Sequence, residues 1–111
     1  MLPPVYNPDS PISILEERHV ITTILFLKKK GRCKKTDVYF NISLNSRMPA
    51  KLDRMEIAGI ITQTYREEGR RTDVELTPYG ERIAVALEYL NSVIMTRPPE
   101  EVERYIRGLD H

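Results

Sequence analysis

Leu52-Asp53-Arg54-Met55-Glu56-Ile57-Ala58-Gly59-Ile60-Ile61 reads as a helix that stops at a glycine and turns into a strand. Its upstream half carries two stripes. Met48, Leu52 and Met55 fall at i, i+4 and i+7, while Arg47, Lys51 and Arg54 repeat that spacing one residue earlier. The spacing predicts one packing face with a basic face about 100° around the helix from it. Pro49 then belongs in the first turn of a helix starting near Ser46, where its missing N–H costs nothing. Beyond Gly59 the period changes from helical to alternating. Ile61, Gln63 and Tyr65 form one run and Thr72, Val74 and Leu76 another, joined by the charged tip Glu67-Glu68-Gly69-Arg70. This pattern predicts a two-stranded β-ribbon with glycine available for positive φ. Asp73 and Glu75 alternate with Val74 and Leu76, so they are expected to face outward and not to form a catalytic carboxylate pair.

Working outward, Ser13 followed by Glu16 fits a capping box. Ile14, Ile21, Ile24, Leu25 and Phe26 continue near helical spacing, and Lys28 to Lys30 suit the negative end of the dipole before Gly31. A first helix is expected over about Ile14 to Lys30. Thr36 is placed to cap a short second helix through about Asn41, with Val38 and either Phe40 or Ile42 inward, before a polar turn at Ser43-Leu44-Asn45-Ser46. After the ribbon, Thr77-Pro78 supplies an N-cap and a first-turn proline. Tyr79, Ile83, Ala86, Leu87, Leu90, Val93 and Ile94 mark a long amphipathic helix ending before Pro98. Pro98-Pro99 separates a last short helix striped by Val102, Tyr105, Ile106 and Leu109. The division expected is an N-terminal arm over 1–12, one domain over 13–96, and a short C-terminal helix over 97–111.

Three helices, a two-strand ribbon and a helix, with basic excess on the third helix and ribbon tip, is the order of a winged helix-turn-helix: mainly α with a β-wing and a C-terminal helical extension. The Leu52–Ile61 segment resembles the recognition-helix exit of MarR, PadR and ArsR-type regulators: two apolar residues three apart, a glycine stop, then two aliphatics entering the wing. Leu76-Thr77-Pro78-Tyr79-Gly80 is similar to the leucine-threonine-x-x-glycine that closes the wing in many of them. The resemblance spans about residues 14–95 and implies a transcriptional regulator that binds double-stranded DNA.

The charge distribution agrees. Lys28 to Arg71 holds twelve bases against five acids, a net of +7, within a chain of net +1 whose two ends are acidic. Such asymmetry is what a polyanion footprint looks like, with solvated surface charge as its competitor. A recognition helix entering the major groove N-terminus first would turn Ser46, Arg47, Ala50 and Lys51 to bases or phosphates, with Arg54 nearer the backbone. Arg66, Arg70 and Arg71 on the wing would follow the backbone or enter the minor groove, and Lys34 and Lys35 would hold a phosphate beside the second helix. Tyr79, Ile83, Leu87, Leu90 and Ile94, with Tyr105 and Ile106, are the candidate seam of a homodimer. The alternative is a winged-helix module that docks an acidic protein or RNA.

Other chemistry has little support. At 41% hydrophobic and 30% charged, 111 residues make an ordinary globular domain and not a disordered chain. Val20 to Leu27 is the longest apolar run, far short of a membrane span, and Met1-Leu2-Pro3-Pro4-Val5 has no signal-peptide character, so a cytoplasmic protein is expected. One cysteine and two histidines leave no metal-spaced cluster, and no phosphate loop or nucleophile elbow occurs; neither enzyme activity nor a cofactor is expected. Arg32, Lys34 and Lys35 would lower the pKa of Cys33, the end of the first helix would raise it, and an incidental thiol is the favoured reading. His19, expected mid-helix, reads as a surface or core-edge residue. Nothing in the sequence names an effector.

Overall fold

The computed structural model describes residues 11–96. A 3-10 turn at Pro11–Glu16 leads to α1 (Val20–Lys30), β1 (Cys33–Lys34), α2 (Lys35–Asn41), α3 (Met48–Ile57), β2 (Ile61–Arg66), β3 (Arg71–Leu76) and α4 (Pro78–Met95). This is the expected winged helix-turn-helix, mostly helical with one small antiparallel sheet. The sheet has three strands in the order β1-β3-β2 where a two-stranded ribbon was expected. β2 and β3 pair from Ile61↔Leu76 to Arg66↔Arg71, and β1 adds Cys33↔Val74 and Lys34↔Asp73 on the other edge of β3. A strand of two residues is too short to show an alternation period, so it leaves no signal in the sequence.

The helical stripes and one face of the sheet meet in a single core. Val20, Ile24 and Leu27 of α1, Val38 of α2, and Met48, Leu52 and Met55 of α3 close over Ile60, Ile61 and Val74, all fully buried. Tyr39 of α2 packs partly against the core while Phe40 is 76% exposed, and Ile42, just past the end of the helix, packs against the core as well. α2 starts one residue before the expected Thr36 cap, and Asp37 accepts the Lys34 N–H at 3.3 Å.

The leucine-threonine-x-x-glycine segment locks the wing to α4. The Thr77 hydroxyl accepts the Gly80 N–H at 2.9 Å, capping α4, and donates to the Gly59 carbonyl, while the Thr77 N–H donates to the Ile60 carbonyl at 3.0 Å. Gly80 has no room for a side chain, because a Cβ there would lie 2.0 Å from the Ile60 oxygen. The stop of α3 at Gly59, with φ of 81°, and the start of α4 are therefore one joint.

Two expectations are corrected. The helix over Ile14 to Lys30, with its Ser13–Glu16 capping box, is instead the 3-10 turn, a break, and α1 from Val20. His19 sits at the break in the left-handed region (φ 74°), and its carbonyl accepts from the Thr23 N–H at 2.9 Å and the Thr23 hydroxyl at 2.7 Å. The break frees Glu17 and the Arg18 carbonyl to contact α3. Pro11 and Ile12 belong to this turn, inside the stretch expected as an arm. Asp73, expected to face solvent, is only 5% exposed because three arginines cover it. The expected C-terminal helix at 97–111, with Tyr105 and Ile106, lies outside the described residues.

Candidate nucleic-acid interface

Burial of Met48, Leu52 and Met55 fixes which side of α3 faces solvent: Ala50, Asp53, Arg54 and Ile57 are exposed, as are Ser46 and Arg47 just before it. The turn leading in is built by side chains. Asn45 N–H donates to the Ser43 hydroxyl at 3.1 Å, and Asn45 Oδ1 accepts the Arg47 N–H at 2.8 Å. Arg47 thus begins the helix from a defined turn, and among the described residues its guanidinium has no ion-pair partner.

The other two members of the basic stripe are engaged within the chain. Lys51 donates from Nζ to the Arg18 carbonyl at 2.8 Å. Arg54 grips Glu17, with Nη2 at 2.6 Å from Oε1 and Nε at 3.0 and 3.1 Å from the two carboxylate oxygens. The hydrogen bond that Arg54 donates holds the Glu17 carboxyl below the usual glutamate range, and the same bond raises Arg54. On its other flank α3 ties to the wing through Gln63, whose backbone N–H reaches Glu56 at 2.9 Å and whose amide reaches Asp53 at 3.0 Å. The outermost face of α3 is therefore more neutral than its sequence suggests, with Ala50 and an 86% exposed Ile57 flanked by Arg47.

The wing cations divide into two groups. Arg66 and Arg71 share a sheet face with Asp73 and reach it at 3.3 and 3.2 Å; Arg32 joins them at 4.0 Å. Lys34, Lys35 and Arg70, with Arg71 shared between the two groups, line a cleft of about 490 Å³ between α2 and the hairpin tip, with Thr36, Tyr39, Gly69 and Thr72. The tip turns tightly, with Gly69 and Arg70 both at positive φ, and Arg70 projects from it with no ion-pair partner among the described residues. The sequence reading missed Glu17, Arg32 and Asp73. A signal existed for the last: once the tip is four residues long, the register puts Asp73 on the same face as Arg66 and Arg71.

Of the candidate dimer residues, Tyr79, Ile83, Leu87 and Leu90 line an apolar groove of about 600 Å³, closed on its far side by the 3-10 turn. Tyr79, Leu90 and Ile94 are exposed on α4, and Leu87 is mostly core. Cys33 is buried on β1, and that burial pushes its thiol up, so the basic neighbours do not prevail. Among the described residues no group of His, Cys, Asp and Glu could hold a metal ion, and no helix is long and apolar enough to cross a membrane.

No family model and no curated relative matches the chain. Solved structures do. A protein assigned to the MarR family of transcriptional regulators from Porphyromonas gingivalis W83 superposes with a TM-score of 0.62 at 19% identity, covering 78% of this chain and 87% of that one. The ytfH protein of Salmonella typhimurium, assigned as a transcriptional regulator, superposes with a TM-score of 0.66 at 16% identity over 92% and 96% of the two chains. Reduced AbfR bound to DNA superposes at 0.57 and 15% identity, over 90% and 73%. The chain has the winged helix-turn-helix fold of these structures.

Proposed function

We propose that the chain is a transcriptional regulator that binds double-stranded DNA sequence-selectively as a homodimer. The observation that carries this reading is the cleft that gathers Lys34, Lys35, Arg70 and Arg71 beside a helix-turn-helix. Four cations around one cleft suit a phosphodiester backbone, and Ser46, Arg47 and Ala50 at the leading end of α3 suit base edges. In this reading Lys51 and Arg54 orient α3 through Arg18 and Glu17, so Arg47 is the principal base-reading cation. Its guanidinium pairs bidentately with guanine. Arg66 and Arg71 contact phosphates from the last pair of the ribbon and Arg70 from its tip. The DNA-bound state of AbfR, which shares the fold, supports DNA as the partner. The exposed apolar side of α4, including Leu90, Val93 and Ile94, supports a second copy as the other partner.

Selection of bound duplexes from a random pool tests this. An enriched sequence is expected, and Arg47→Ala should relax that preference at a cost of about 1 to 3 kcal/mol. Arg70→Ala should weaken all duplexes alike and reduce the salt slope by about one unit. A second reading has one observation in its favour: Asp53 and Ile57 on the outer face of α3 suit a protein surface better than a phosphate backbone. If no duplex is enriched and Arg47→Ala binds every duplex as the wild type does, the protein-docking module replaces the regulator.

A further inference from the structure

The geometry points to Asp73 as the positioning residue of the wing, a buried carboxylate that sets three arginines as one donor array for a polyanion backbone. The inference rests on the DNA reading for the identity of that polyanion. Asp73 Oδ2 accepts a hydrogen bond from Arg66 Nε at 3.3 Å and lies 4.0 Å from Arg32 Nε, and Oδ1 forms an ion pair with Arg71 Nε at 3.2 Å. Every one of these approaches is made through Nε. A guanidinium has five N–H donors in a rigid fork, so the two Nη groups of each arginine remain for an external anion. The three side chains are about half exposed while the carboxylate is almost fully covered, which puts the anchor inside and the donors outside.

The charge balance supports the same role. One carboxylate faces three guanidinium groups, so the cluster keeps a surplus of two positive charges. Arg66 and Arg71 are also direct cross-strand partners, an arrangement of like charges that destabilises a hairpin unless a counter-charge lies between them. Lys34 is the register partner of Asp73 on the other side, and Lys34 and Arg71 line both this site and the cleft beside α2. Asp37, the other acid at the site, is turned to the Lys34 N–H. Asp73 thus connects the loop after α1, the hairpin and the cleft through arginines that a solvated surface would leave to wander.

Asp73→Asn in the full chain separates positioning from plain charge. Deleting a negative charge from a polyanion site strengthens binding if that charge acts only by its sign. If Asp73 positions the arginines, binding weakens although the protein becomes more positive. The expected result is about a tenfold loss, the scale of one charge-assisted hydrogen bond, on the selected duplex and on heparin. The salt slope should fall by about 0.9 for each arginine that leaves its phosphate. Equal or tighter binding by a folded Asp73→Asn overturns the inference. Heparin decides it even if no duplex is bound, so failure of the DNA reading is seen separately. Should Asp73→Asn not fold, Asp73→Glu keeps the charge and displaces it by one methylene: weaker heparin binding supports positioning, and unchanged binding overturns it.

Discussion

Arg54 Nη2 lies 2.6 Å from Glu17 Oε1, a contact across 37 residues that ties α3 to the break before α1. Lys51 repeats the connection one turn earlier on the Arg18 carbonyl. The same short segment continues into the 3-10 turn that walls the apolar groove. Two contacts therefore brace α3 from residues that precede α1. Glu17→Gln should keep the fold and narrow the gap in affinity between the selected duplex and a scrambled one, read by fluorescence anisotropy. An unchanged ratio would mean that the core alone orients α3.

That pair also has a pH signature. The Glu17 carboxyl is lowered by the hydrogen bond from Arg54, with desolvation opposing it, so its contribution is fully present above the ordinary glutamate value. It fades as pH falls through the lowered folded-state value. The difference in Tm between wild type and Glu17→Gln should thus be constant from about pH 7 to pH 5 and close on the acid side. Parallel curves down to about pH 3 would show that the pair adds nothing to stability.

Gly80 offers a test of the joint between wing and α4. Gly to Ala inside a helix ordinarily stabilises by about 1 kcal/mol. Here the new Cβ would meet the Ile60 carbonyl at 2.0 Å, so the sign should reverse and Gly80→Ala should cost at least about 1 to 3 kcal/mol in urea melts. Ala86→Gly, on the exposed side of the same helix, serves as the propensity control. A Gly80→Ala variant as stable as wild type would show that the Ile60 carbonyl can move aside.

The helices that pack through long stripes and the joint at Thr77 were legible because their causes are local: apolar spacing, a capping hydroxyl, a glycine stop. What was illegible depends on partners far along the chain. His19 adopts left-handed φ although it is not a glycine, where Glu17 and Arg18 on one side are held by α3 and Thr23 on the other binds its carbonyl. Asp73 follows the outward phase of its strand correctly, and what the alternation rule could not supply is the cover of arginines from three elements. The basic residues themselves were found, but not which were committed. Arg54 and Lys51 look the same as Arg47 in the sequence and differ only through Glu17 and the Arg18 carbonyl.

Cys33 is the one cysteine, and burial raises its thiol while Asp37 and Asp73 add to the effect. Little thiolate is present near neutral pH, and the sulfur is covered. Reaction with a disulfide reagent at about pH 8 should be slow in the native protein and become fast in guanidinium. Mild peroxide should leave DNA binding unaltered. Rapid native labelling, or a loss of binding on peroxide treatment that a reductant reverses, would place a redox switch on this strand.

The apolar side of α4 yields the assembly prediction. Leu90, Val93 and Ile94 are about half exposed, and the groove continues from Leu90 toward Ile83 and Tyr79 against the 3-10 turn. Exposed apolar residues along an 18-residue helix are what a second copy would cover. A two-fold pairing along α4 would set two recognition helices about 34 Å apart, one turn of duplex, and the selected site should then be an inverted repeat. Light scattering at micromolar concentration should give twice the 12.9 kDa chain mass. Leu90→Glu with Ile94→Glu should give a folded monomer that binds a single half-site weakly, because two linked half-sites share one association cost. A dimer that survives both substitutions would move the seam off α4, and a wild-type monomer mass at every concentration would leave each chain to bind alone, with no symmetry required of its site.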